Sequence, residues 1–209
     1  MTTDAATART GRSHHLGLWF AHLYVLGICG TLAGAYFFQF ALGEYPCSMC
    51  LQQRMFFLLS AIGPAYIIAR AREGAVTTPQ FATGWGWAIL VAVLGGIESG
   101  SQTLMHIIPP DPGYAGTLFG LHLYTWALLV FIAAVIACAI VLILAPMSEP
   151  LDAGVNSPAF RKAASVTLTV LVLFAATNLF FCFLEQGFHW QMPGDPDGYE
   201  FFSDLGITD

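Results

Sequence analysis

Five long, almost wholly apolar stretches run through the chain, separated by short polar segments. A membrane-crossing helix needs about 20 mainly apolar residues. The stretches over 17–43, 46–69, 82–108, 117–145 and 163–184 all satisfy that length. The pattern predicts an all-α integral membrane protein built as a bundle of five transmembrane helices. The first stretch, LGLWFAHLYVLGICGTLAGAYFFQFAL, exceeds a signal-peptide core, and no small-residue cleavage site clearly follows it, so it reads as a retained span.

Composition strengthens this reading. Of 209 residues, 56% are hydrophobic and 10% charged, whereas a soluble domain carries about a quarter charged residues. One soluble core could not hide so much apolar surface, so lipid is the solvent for much of the chain. The formal charge of −6 argues against a nucleic-acid partner, which requires a basic surface.

Charge distribution then orients the bundle. Arg9 and Arg12 precede the first span, Arg70 and Arg72 follow the second, and Arg161 and Lys162 lie between the fourth and fifth. With five spans these regions share one side, which the positive-inside rule makes cytoplasmic. The N-terminus is therefore expected inside and the C-terminus extracytoplasmic. Glu44, Asp111, Glu185, Asp195, Asp197, Glu200, Asp204 and Asp209 all fall on the opposite face. Two similar segments there, PPDPGY at 109–114 and PGDPDGY at 193–199, carry turn chemistry.

Candidate chemistry centres on Cys47-Ser48-Met49-Cys50, which opens the second span directly after Glu44-Tyr45-Pro46. Proline suits a helix start because its missing N–H would be unpaired there. A spacing of three puts both sulfurs on one side, close enough to bridge. The helix N-terminus favours a thiolate, as in reactive CxxC pairs, and an extracytoplasmic setting permits a disulfide. Two other readings stay open at this point. The cysteines could be small packing residues, or they could join His106 and His122 in a zinc or haem site.

Arg54 is the only basic residue away from the cytoplasmic side. It follows Cys50 by one helical turn, roughly 6 Å along the axis, and shares a face with both cysteines. A charge at membrane depth costs about 3 kcal/mol on insertion scales, although an arginine near a helix end can snorkel to the interface. The functional alternative is a fixed positive charge holding a thiolate or a quinone oxygen. The third span adds a polar stripe of Glu98, Gln102 and His106, with glycines at 95, 96 and 100 that permit close helix packing. His122 and Trp126 lie one turn apart at the start of the fourth span. Cys29 and Cys138 fall mid-span and read as packing residues; Cys182 ends the fifth span on the CxxC side.

PCSMCLQQR at 46–54, GGIESGSQTLMHI at 95–107 and FGLHLYTWA at 119–127 together resemble the disulfide bond formation protein B (DsbB) family. The likeness spans roughly 17–145. It implies a four-helix membrane domain over those residues, preceded by a cytoplasmic tail at 1–16. After that domain the chain departs from familiar members, adding a cytoplasmic loop at 146–162, a fifth helix at 163–184 and an acidic, aromatic extracytoplasmic tail at 185–209. The likeness also implies a bacterial inner-membrane protein with a periplasmic site. There the CxxC disulfide oxidises a DsbA-like thioredoxin-fold partner and passes two electrons to ubiquinone or menaquinone from the membrane pool. By match, Cys47 exchanges with incoming thiols, Cys50 adjoins the quinone and Arg54 positions and polarises it. Gln102, His106 and His122 are candidates for quinone contact or proton delivery. The chain departs from familiar members in lacking a second cysteine pair between spans three and four, where 107–117 holds none. The rival classes are a membrane metal or haem binder using Cys47, Cys50, His106 and His122, and a non-catalytic assembly or transport subunit.

Overall fold

The computed structural model describes residues 3–144, 158–191, 194 and 196–207, with side chains from residue 17 onward. The side chains of Arg9 and Arg12, the 146–157 part of the predicted loop, Pro193, Asp195 and Asp209 lie outside what it describes. Helices α1 (Thr3–Ala41), α2 (Ser48–Glu73), α3 (Thr78–Met105), α4 (Leu123–Leu144) and α5 (Pro158–Gln186) carry the fold. Each contains a segment long and apolar enough to cross a membrane. Strands β1 (Thr117–Leu118) and β2 (Leu121–His122) form a small antiparallel hairpin, and α6 (Glu200–Asp204) is a single short helix in the tail.

The helix ends follow local chemistry. Thr77 caps α3 in a reciprocal box with Gln80, which satisfies two otherwise orphaned backbone donors. Cys47, rather than Pro46, is the residue that caps α2, so the proline stands one position before the cap. The predicted fourth span begins later than its apolar pattern suggests. Residues 117–122 turn back as the hairpin before α4 starts at Leu123, because Gly120 at φ +80° favours a reversal over helix.

Helix α2 is the hub, packing on α1, α3 and α5, while α4 packs on α3 and α5 also contacts α1. Close approach between α2 and α3 depends on glycine: a Cβ on Gly63 would strike the Gly84 carbonyl. Phe57 of α2 and Phe131 of α4 stack at 4.0 Å between centroids, and the Phe131 ring fills the space a Gly95 side chain would need. Leu23, Ile97, Ile136 and Val172 remain exposed on the outer faces, as a bundle solvated by hydrocarbon requires. At one end Arg72 reaches Ser165 of α5, at 3.4 Å. The opposite end holds the CxxC, the 106–122 connection and the tail.

Substituting Gly63→Val should therefore force α2 and α3 apart. Overpacking of this kind costs about 1–3 kcal/mol and should lower the thermal unfolding midpoint in detergent. An unchanged midpoint would contradict the close α2–α3 contact.

Candidate functional site

Cys47 ends the α1–α2 connection and caps α2, so its sulfur accepts the Cys50 backbone N–H at 3.3 Å. The two Sγ atoms lie 2.8 Å apart as a reduced pair. Gln102 of α3 donates from Nε2 to Cys47 Sγ at 3.2 Å and reaches Cys50 Sγ at 3.8 Å. Gln53 in turn donates to Gln102 Oε1 at 2.7 Å and orients that amide. The hydrogen bond with Cys50 is the largest influence on Cys47, and with the cap and Gln102 it outweighs burial and lowers the Cys47 thiol from its ordinary range. With Cys47 ionised, Cys50 is the donor of the pair.

The two sulfurs have different surroundings. Cys47 is 4% exposed, whereas Cys50 opens onto a cavity of about 230 Å³ bounded by α1, α2, α4 and the 106–122 connection. Leu32, Phe38, Phe57 and Val130 make most of its wall apolar, and Arg54 brings a guanidinium and Glu44 a carboxyl group to it.

Arg54 is buried, and its guanidinium is held from α1. Nη1 donates to Gln39 Oε1 at 2.6 Å, Nη2 donates to the Ala35 carbonyl at 3.5 Å, and the group lies 5.2 Å from the centre of the Tyr36 ring. Gln39 passes the connection onward, donating from Nε2 to Glu185 Oε1 at 3.0 Å and to the Tyr199 hydroxyl at 3.1 Å. Helix α5 and the tail thus reach the arginine through one amide. Tyr199 also packs edge-on against Tyr45, beside the CxxC. A guanidinium has five N–H groups; Gln39 and Ala35 take two of them among the described residues, and Arg54 also lines the cavity.

The remaining sequence candidates occupy other positions. His106 pairs with Asp111 at 2.9 Å, and the Gly113 N–H, followed by that His106 bond, holds the Asp111 carboxyl below its ordinary range. His122 stacks on Tyr124 at 5.1 Å, with Nδ1 3.2 Å from the Tyr114 carbonyl. Both histidines brace the 106–122 connection, and neither is on the cavity wall. Among the described residues no three His, Cys, Asp or Glu side chains converge as metal ligands. Glu98 is half-buried. Cys182 is buried and receives the Asn178 amide at 3.6 Å. Gln39, Tyr36, Glu185 and Tyr199 were not singled out for this site by sequence. The usable signal was a lone glutamine, Gln39, in the last turns of an otherwise apolar span.

The lowered Cys47 pKa has a measurable consequence. In the reduced protein the ultraviolet thiolate signal should titrate below the ordinary thiol range. Gln102→Leu, which removes a donor to the sulfur, should move that midpoint upward. Because the folded value lies below the ordinary thiol value of about 8.5, ionised Cys47 favours the reduced fold fully above that pH. The contribution is lost as pH falls through the lowered folded value. A midpoint that stays at the ordinary thiol value would contradict the hydrogen-bond set.

Comparison with known proteins agrees with this geometry over part of the chain. Residues 18–115 match the family model for disulfide bond formation protein DsbB. The match covers α1, α2, α3 and much of the following connection, and stops before FGLHLYTWA at 119–127. No curated protein and no solved structure gives a significant match. The matched segment contains Cys47, Cys50, Arg54 and Gln102. Residues 18–115, just under half of the chain, are therefore similar to the DsbB family of disulfide bond formation proteins.

Proposed function

We propose that the chain is a quinone-linked thiol oxidoreductase of a bacterial inner membrane, with its CxxC facing the periplasm. The observation that carries this reading is the separation of roles between the sulfurs. Cys47 is the capped thiolate, and Cys50 shares an apolar cavity with Arg54. A quinone fits such a site: its ring needs an apolar slot, its oxygen a fixed donor, and its reduction an adjacent sulfur. When bound, it supplies two-electron acceptor chemistry drawn from the membrane pool.

A thiolate of a DsbA-like thioredoxin-fold partner attacks Sγ of Cys47 in the Cys47–Cys50 disulfide, and Cys50 leaves as a thiolate that takes the proton of the partner's second thiol. The second partner thiolate then attacks the partner's own sulfur in that mixed disulfide and releases Cys47. Its stabilisation by the helix cap, Cys50 and Gln102 makes Cys47 a good leaving group. Its burial means that this exchange requires local opening around the α1–α2 connection. Arg54 orients the acceptor's carbonyl oxygen and compensates negative charge there. Gln102 keeps the sulfurs aligned, and His106 and His122 are assigned to holding the connection over the site. With 107–117 free of cysteine, partner thiols act on this one pair directly.

The predicted topology has a cytoplasmic N-terminus and an extracytoplasmic C-terminus. Within it, a DsbB-like domain over 17–145 is joined by the fifth helix and the tail at 185–209. The basic residues at one end of the bundle and the acidic ones at the other support that orientation.

Quinone reduction followed spectroscopically, with a reduced thioredoxin-fold dithiol as donor, tests the reading. Cys47→Ser and Cys50→Ser should abolish turnover. Arg54→Ala should keep dithiol exchange but lower kcat/KM for quinone by about ten- to a hundredfold, the worth of a charged hydrogen bond. Cysteine variants that turn over as fast as the natural sequence would sink the proposal.

A further inference from the structure

Glu44 lies in the connection between α1 and α2, three residues before Cys47. Its Oε1 accepts the Gly116 N–H at 3.0 Å. Its Oε2 is buried and, among the described residues, has no hydrogen-bond partner, although the residue as a whole is only half-buried. Buried carboxyl oxygens are rarely left unpartnered, because desolvation without a hydrogen bond is costly. This one is also accommodated: a Cβ on residue 116 would collide with the Glu44 carboxylate, so glycine there makes room for it. Glu44 lines the same cavity as Cys50 and Arg54. The other titratable groups around it are Tyr45 beside it, Tyr114 from the connection and Tyr124 of α4.

Resting on the quinone reading above, the proton balance of the pair gives this carboxyl a task. The reduced pair carries a thiolate at Cys47 and a thiol at Cys50. Reoxidation breaks the Cys50 S–H bond, forms the Cys47–Cys50 S–S bond, and releases two electrons and one proton. A quinone reduced to its hydroquinone takes up two electrons and two protons, so one further proton has to come from water. We propose that Glu44 is the acid that carries this proton from the periplasmic side into the cavity. Its partial exposure gives it access to water, and its unpartnered oxygen provides the atom that holds the proton. Delivery leaves a carboxylate, which water reprotonates before the next turnover. The Gly116 bond keeps the side chain turned toward the site in both states.

Glu44→Gln tests this in the purified full-length protein. The amide oxygen still accepts the Gly116 N–H, but it carries no acidic proton. We expect kcat for reduction of a short-chain quinone to fall about a hundredfold, the usual scale for a lost general acid. Quinone binding, read from quenching of tryptophan fluorescence to which the cavity's Trp126 contributes, should stay unchanged. Stoichiometric reduction of the Cys47–Cys50 disulfide by dithiothreitol should also keep its rate. A pH-indicator dye should record net uptake of one proton per pair reoxidised in the natural protein, and delayed uptake in the variant. Glu44→Asp should recover part of the rate. A Gln variant with natural kcat overturns the proposal, and so does one that slows the dithiothreitol step equally, since the role is then structural. If the natural protein itself fails to reduce quinone while its disulfide still exchanges, the quinone reading falls, and this inference falls with it.

Discussion

A guanidinium buried in a helical bundle needs close partners, because removing a charge from water costs several kcal/mol that hydrogen bonds must offset. Arg54 meets that requirement by recruiting groups that are far apart in the chain. Gln39 and the Ala35 carbonyl come from α1, and Tyr36 presents its ring. Gln39 is itself anchored by Glu185 of α5 and Tyr199 of the tail. Satisfying one charge therefore brings together three helices and the C-terminal segment. The same arrangement puts the arginine on the wall of the cavity that Cys50 opens into. The fifth helix is part of the site's frame, even though the family match ends before it.

The two cysteines show how a small difference in helix position gives two sulfurs different surroundings. Cys47 is the cap, so a backbone N–H points at its sulfur, and Gln102 adds a second donor. Cys50 lies three residues on, inside the first turn, where its side chain meets the cavity. One sulfur is thus met by two hydrogen-bond donors and the other adjoins the cavity. Exchange chemistry favours this asymmetry, because a stabilised thiolate leaves readily. The glycine contacts serve it indirectly: Gly63 and Gly84 let α2 approach α3 closely, and α3 delivers Gln102 to the sulfurs.

The chain's own pattern was enough to specify the helices, because a 20-residue apolar run has few alternatives in lipid. It also specified the CxxC and Arg54 as one unit, since three residues on a single helical face keep their relation whatever surrounds them. It did not foresee that 117–122 would form a hairpin, where apolar content and a glycine reversal compete. Nor could it separate Gln102 from His106. Both belong to the same stripe four residues apart, yet the first meets the sulfurs and the second pairs with Asp111. That choice depends on how far α3 slides along α2, a long-range packing outcome.

The lowered pKa of Cys47 was anticipated from the helix N-terminus, but its largest cause is the neighbouring thiol. Local sequence thus determined the spans, the paired cysteines and the arginine beside them, because these rest on hydrophobic length and helical periodicity. Tertiary structure alone decided which distant groups complete the site. Gln39, Glu44, Glu185 and Tyr199 are ordinary polar residues until packing brings them to Arg54 and the cavity, and no local pattern encodes a contact made across 146 residues.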